Sequence, residues 1–427
     1  MQMKNGTKTW AMVVAAALAL EAWALYVVSA SPARWRPELI AKDEPAARAL
    51  YNKMTEVLGE SRSLSYTSMC SGPDGRVCKY QVVLKKPHGC RVQVVNEPSA
   101  KTTTLLADAE HLWIYWSGTR PYLAVDDYEE YERTRSNVYI RRAAPAGQHS
   151  VRDEIASLGL AWYEPILDPT TFHGRADPFE AHIDGVRGQG THLLGDELCD
   201  IIEITCMNAQ RTRHFWLSRE DHLPRRVKEI VRHREIHVRV EEWSDLVINP
   251  DVRPEELTWS PPEGSRQWRP SGPEEDLLQA GQEAPDFELR SARNRPVRLS
   301  DYRGSVVWLF FWQTGSLPCR RALPWLQALH EKQSNDDLVL IGFNHGDDER
   351  IARAFLRESA ITFPTVLDPS PVADQVMASY GNETGRVPLT YIIDRQRLVV
   401  DAWFGHEQGD SRLAAALERA GLEPEGF

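Results

Sequence analysis

Six apolar residues in a row, Val306-Val-Trp-Leu-Phe-Phe311, leave no polar face. A strand of this kind has to be buried on both sides, which calls for a sheet with layers above and below it. Ala322, Leu323, Leu326 and Leu329 follow at helical spacing, so the strand hands over to a helix after a short turn. Leu338–Phe343 is a second buried strand, and Ile351, Ala354 and Phe355 mark its crossover helix. Leu389–Asp394 and Leu398–Trp403 read as a closing pair, with Leu413, Ala416, Leu417 and Ala420 on a last helix. The predicted unit is an α/β domain, a small central sheet flanked by helices.

This unit ends a chain of 427 residues, long enough for two or three domains. Ala47, Leu50, Met54 and Val57 predict one helix over Pro45–Leu58, with Asp43 and Glu44 suiting its N-terminus. Short β-branched and aromatic runs then alternate with turn signals at Gly72–Gly75 and Lys86–Gly89, the grammar of antiparallel hairpins. Further strands are expected at Leu112–Trp116, Tyr122–Val125, Leu198–Cys206, Arg213–Leu217, Arg225–Val231 and Ile236–Ile248. Prolines 250, 254, 261, 262, 270, 273 and 285 mark an extended, semi-stiff join with a boundary near Leu278. The division is therefore 45–248, a mostly antiparallel β domain; 249–280, a proline-rich linker; and 281–422, the α/β domain.

Lys4 and Lys8 precede an apolar run from Trp10 to Val28, interrupted by Glu21 and ending in Val28-Ser-Ala30. Residues 1–30 read as a signal peptide or a membrane anchor, so an extracytoplasmic or periplasmic body is expected, membrane-tethered or secreted. Arg34 and Arg36 balance the leading lysines, so charge does not set the orientation. A net charge of −11 without a basic block argues against a nucleic-acid partner.

The six cysteines lack the paired C-x-x-C spacing of a zinc site, and neither metal nor cofactor is expected. Cys319 stands where the buried strand meets its helix, and the helix N-terminus is expected to lower the thiol pKa there. Here the sequence resembles the thioredoxin fold, specifically thiol-disulfide oxidoreductases of the TlpA/ResA type and the related AhpC/TSA redoxins. Gly281-Gln-Glu-Ala-Pro-Asp-Phe287, Leu299–Gly304, Pro324 and Gly385-Arg-Val-Pro388 match that family in order, the last looking like its cis-proline segment. The departure is chemical. Where the family has Trp-Cys-x-x-Cys, this chain has Gly315-Ser316-Leu317-Pro318-Cys319. One sulfur cannot both attack a disulfide and resolve the mixed disulfide, so the dithiol cycle is closed to it. Gly315, Pro318, Val387 and Pro388 are the residues expected to shape the site, and Ser316 at most hydrogen-bonds the sulfur.

Three readings follow, and whether the chain is an enzyme depends on which holds. Cys319 is a lone redox thiol exchanging with an envelope thiol or disulfide protein. It is a peroxidatic thiol in a Ser-x-x-Cys motif, with Trp312 in the place of that motif's proline, Pro388 roughly in that of its arginine, and Arg386 nearby. Or it is buried and inert, and the domain binds a lipid, lipoprotein or protein partner.

Leu105–Tyr115 and His214–Arg226 resemble the LolA/LolB fold of periplasmic carriers, a curved half-barrel sheet over helices. That likeness implies an apolar cavity, which Trp113, Trp116, Trp162, Trp216, Trp243, Trp259 and Trp268 would line, although core packing is the blander use of such residues. Cys70 and Cys78 flank a turn at nearly opposed positions and suit a structural disulfide. Cys199 and Cys206 lie on one strand, facing opposite sides roughly 23 Å apart, and cannot pair with each other; the pairing of Cys90, Cys199 and Cys206 stays open. His233, His237 and the alternating charges from Arg232 to Glu242 read as a solvated strand face.

Overall fold

The computed structural model describes residues 40–72, 77–97, 101–108, 110–115, 138–142, 151–155, 165–174, 177, 179–267, 274–332, 337–383, 385–406 and 411–422. Segment 1–30, most of the Gly72–Gly75 turn, the strand expected at Tyr122–Val125, and Trp116, Trp162 and Trp268 lie outside these residues. No described helix is long and apolar enough to cross a membrane.

Helix α1 (Pro45–Glu60) buries Ala47, Tyr51, Met54 and Leu58, with Leu50 and Val57 at the edge of its contact. The buried stripe is thus rotated from the expected one, because Tyr51 contributes an aromatic body that a purely aliphatic count passes over. Glu44 is the N-cap residue, but neither its side chain nor that of Asp43 caps the helix. Their carboxylates accept the amides of Val186 (3.0 Å) and Gly188 (2.9 Å), tying the approach to α1 onto a strand. A β-carbon at Gly185 would lie 2.1 Å from the Ala41 carbonyl oxygen, so this crossing requires glycine.

The sheet beneath α1 has strands β1 (Ser63–Ser71), β2 (Val77–Lys85), β3 (Gly89–Glu97), β4 (Lys101–Ala107), β5 (Leu112–Tyr115), β6 (Val138–Arg142), β7 (Ile183–Leu194), β8 (Glu197–Cys206), β9 (Arg211–Ser218), β10 (Pro224–Arg232), β11 (Ile236–Ile248) and β12 (Arg266–Gln267). Their order is β12-β6-β5-β4-β3-β2-β1-β11-β10-β9-β8-β7, and within the described part of this sheet only β12 against β6 runs parallel. A short helix, α2 (Val151–Ile155), and 3₁₀ turns at Pro169–His173 and Glu180–His182 lie between β6 and β7.

Part of this interior is ionic, which corrects the solvated-face reading. Arg239 and Glu241 are buried. Glu229, fully buried, pairs with Arg211 (2.6 Å), Arg213 (2.9 Å) and Arg239, while Asp177 holds Arg213 at 2.7 Å and Phe179 lies under both Arg211 and Arg213. Glu241 accepts Ser68 Oγ, Trp243 Nε1 and the Ile166 amide. The described tryptophans do not gather around one cavity: Trp243 stacks on Tyr66, Trp216 lies under Arg226, and Trp113 and Trp259 cluster with Tyr139.

The proline-rich join is docked rather than loose. Val252 and Leu257 are buried beside the sheet, β12 pairs with β6, and Leu277 enters the core of the C-terminal domain.

That domain comprises a hairpin of β13 (Glu288–Arg290) and β14 (Pro296–Arg298), then β15 (Val306–Trp312), α3 (Leu317–Lys332), β16 (Leu338–Asn344), α4 (Glu349–Glu358), β17 (Thr365–Val366), α5 (Pro371–Ser379), β18 (Leu389–Ile393), β19 (Val399–Phe404) and α6 (Ser411–Arg419). The sheet order is β17-β16-β15-β18-β19, the first three parallel and the last two antiparallel. Every residue of β15 is buried. Val307, Leu309 and Phe311 join the core under α5 and the hairpin, and Val306, Trp308, Phe310 and Trp312 join the core under α3 and α6. The apolar run thus divides by parity between two layers.

Candidate functional site: the turn into α3 and the loops that close over it

The turn after β15 holds the Gly315–Cys319 motif. Ser316 occupies the N-cap of α3 and its Oγ accepts the Cys319 amide at 3.4 Å, while the Arg320 amide bonds the Ser316 carbonyl at 3.0 Å. Pro318 fits the first helical turn, where no intrahelical N–H bond is required. Cys319 has no exposed surface and packs with Trp308, Phe310 and Leu323. Burial pushes its thiol up to about 12, further raised by the charge of Asp347 and only partly offset by hydrogen bonds from Ser316 and Gln313. The sequence-based expectation of a lowered pKa is therefore corrected: desolvation exceeds the helix-terminus effect when the sulfur faces the core.

Val387–Pro388 is a cis peptide, and Val387 packs against the cluster that contains Cys319. Arg386 lies over the Phe404 ring at 5.0 Å. A peroxidatic cysteine works as an exposed thiolate, and burial here opposes that reading.

Two turns of the N-terminal domain close over the motif. Leu317 packs against that domain's apolar core. A β-carbon on Gly315 would stand 3.4 Å from Gln210 Nε2 and 3.5 Å from His233 Cε1, so the glycine leaves the room these side chains fill. A tryptophan at this position would collide with both. Buried Asp347, after β16, joins the two halves: one oxygen accepts the Thr314 amide (2.6 Å) and Asn344 Nδ2 (2.7 Å), the other Gln210 Nε2 (3.0 Å), with His233 Nδ1 at 3.6 Å.

Around this centre, Arg234 donates its amide to Gly346 O (3.0 Å) and its guanidinium to Asp374 (2.9 and 3.1 Å) and Asp368 O (3.2 Å). Asn208 Nδ2 reaches Glu358 at 2.8 Å, and the Arg320 guanidinium lies between Thr314 O and Met207 O. His345 bonds Asp374 at 2.9 Å, and burial holds its pKa below the usual histidine value despite that carboxylate.

Sequence reading missed Gln210, His233, Arg234 and Asp347 as one group. His233 lies in the β10–β11 turn and faces Asp347; His237, with its ring 6.1 Å away, follows on β11. The other turn carries an unusual backbone: Met207, Asn208 and Ala209 all have φ near +60°. L-residues avoid that region, and here Asp184 holds it by accepting the amides of Asn208 and Ala209. Met207-Asn-Ala-Gln210 has no glycine to announce such a turn.

Cys70 and Cys78 oppose each other directly across β1 and β2, both buried. Cys199 and Cys206 stand at opposite ends of β8, also buried, and burial raises the Cys90 and Cys206 thiols to about 12.

Fold and site define a thioredoxin-fold protein with serine and cysteine in the turn that leads from β15 into α3. The AhpC/TSA family profile matches residues 280–402. Thiol-disulfide oxidoreductase ResA of Geobacillus thermodenitrificans is 34% identical over 122 residues, 29% of this chain and 67% of the relative. Thioredoxin-like protein YneN of Bacillus subtilis is 33% identical over 132 residues, 30% of this chain and 73% of the relative. The crystal structure of a putative thiol:disulfide interchange protein DsbE from Chlorobium tepidum is 30% identical, covering 34% of this chain and 98% of that one with a TM-score of 0.31. Through its C-terminal domain the chain belongs to the AhpC/TSA family, with ResA-type proteins among its relatives.

Proposed function

We propose that this chain is a cell-envelope thiol redox protein working through the single sulfur of Cys319, with a LolA-like N-terminal domain as its lid. The observation that carries this reading is the seating of Gln210 and His233 against Gly315, with Leu317 of the turn packed on the sheet domain's core, at the seam where the turn would meet a substrate. The seam is polar, and Gln210 Oε1 and Thr314 Oγ1 are buried in it without a hydrogen-bond partner among the described residues. An interface of this kind separates more easily than an apolar one. With the domains apart, the Cys319 thiolate attacks a partner disulfide, forms a mixed disulfide and expels the partner's second sulfur as thiolate. An external thiol then attacks the mixed disulfide and returns Cys319 to the reduced state, a step Ser316 cannot perform.

The LolA-like assignment is supported by the long antiparallel order of the sheet and by α1 packed on it. The resemblance adds a lipid or lipoprotein as the partner of that domain. Residues 1–30 would place the protein at the membrane. Direct opposition of Cys70 and Cys78 suits a disulfide formed in an oxidising compartment, visible as the loss of two hydrogens in the intact mass without reductant.

The second reading, a redox-inactive binding protein, is favoured by the burial and raised pKa of Cys319. Peptide-resolved alkylation of the full chain at pH 8, wild type against Arg234→Glu, separates the two. The redox reading expects slow Cys319 labelling in the wild type and at least roughly tenfold faster labelling in the variant, because like charges at Asp374 open the seam. If proteolysis shows the seam opened and Cys319 still labels only on unfolding, the binding reading stands.

A further inference from the structure

A cavity of about 620 Å³ opens in the C-terminal domain between the β13–β14 hairpin and the end of α4, with no residue of the Gly315–Cys319 motif in its wall. Its floor is apolar and buried, built by Val297, Leu356 and Phe363. Its rim carries Arg293, Arg295, Arg353 and Arg357, with no Asp or Glu among the described lining residues. Two of these arginines are already engaged: Arg353 by Glu349 (2.6 Å) and Asn294 (2.7 Å), and Arg293 by the Thr362 carbonyl (3.1 Å). Among the described residues, Arg295 and Arg357 have no ion-pair partner.

Elsewhere in the same domain Arg298 pairs with Glu288, Arg397 with Glu283 and Arg419 with Asp401. In a chain of net charge −11, four arginines over an apolar floor stand out as a local reversal of charge. Pockets of this volume hold small molecules, apolar walls supplying burial and a few polar groups setting orientation. Arginine presents paired N–H donors that fit carboxylate or phosphate oxygens.

We infer that this cavity binds an amphipathic anion, with an apolar chain on Val297, Leu356 and Phe363 and a carboxylate or phosphate head between Arg295 and Arg357. The site is independent of Cys319 chemistry. Its test is isothermal titration of the full chain with dodecanoate and with dodecyl phosphate, beside dodecyltrimethylammonium and inorganic phosphate. One equivalent of at least one anionic amphiphile is expected to bind, the two heads ranking the natural ligand. The cation and inorganic phosphate are expected to bind at least roughly tenfold more weakly. Arg295→Glu/Arg357→Glu, exposed substitutions that leave the floor intact, should weaken the anion by about tenfold or more. Absence of binding, equal binding of the cation or of inorganic phosphate, or unchanged affinity in the double variant would each overturn the assignment. The last result would move amphiphile binding to another part of the chain.

Discussion

Strand β15 buries seven residues without one charge, whereas β11 buries Arg239 and Glu241 beside Trp243. The first arrangement draws its stability from area removed from water and is indifferent to which neighbour supplies the contact. The second holds only while every partner is in place, because each ion buried without its counter-ion costs several kcal/mol. The C-terminal domain is therefore an apolar scaffold that positions the Gly315–Cys319 turn. The N-terminal domain is an ionically braced one, and its turns carry the polar groups that mate with Asp347.

The largest expected effect tests the ionic half. Glu229→Gln leaves Arg211, Arg213 and Arg239 around a neutral centre and should cost about 3–5 kcal/mol, read as a shifted denaturant transition of the sheet domain. A loss below about 1 kcal/mol would show that the cluster does not brace the sheet. In the apolar half, Leu309→Ala should cost about 2–5 kcal/mol, confined to the transition of the C-terminal domain.

Acid sharpens the contrast. Glu229 is held well below the usual carboxylate range by its arginines despite burial, so its contribution is present above the unfolded value near 4.3 and is lost as pH falls through the folded one. Glu241, raised by burial, acts in the opposite direction and is relieved by protonation. Thermal melts at falling pH should show the sheet domain unfolding first; simultaneous loss of both domains would break the comparison.

Alkali reaches both halves. For Cys319, raised to about 12, stability is complete below the unfolded value of about 8.5 and declines as pH rises toward 12. Cys319→Ala should flatten the alkaline slope of the C-terminal transition alone, since Cys90 and Cys206 act in the other domain. The smallest effect is at the seam. Arg234→Ala removes a half-exposed pair with Asp374 and should change stability by less than about 1 kcal/mol while still speeding Cys319 labelling. An unchanged labelling rate would mean that this pair does not hold the lid.

The C-terminal domain was the more legible because its signals are local. A wholly apolar run and helices of regular period force a covered sheet, and β15, β16, β18 and β19 fall within a residue or two of their expected ends. In the sheet domain the period-2 pattern also located β8 to β11, but alternation says only that two faces differ. It does not say which face is covered, so Arg239 and Glu241 looked solvated although Glu229, Ser68 and the segment carrying Ile166 enclose them.

What the sequence alone determined is the α/β unit, the antiparallel character of the other sheet, and the serine in place of a first cysteine, since each rests on side-chain type and spacing along the chain. Only the tertiary structure decided the state of the sulfur and what covers it. Gln210 and Asp347 are 137 positions apart, and a thiol's pKa depends on the solvent its fold excludes, which no local pattern records.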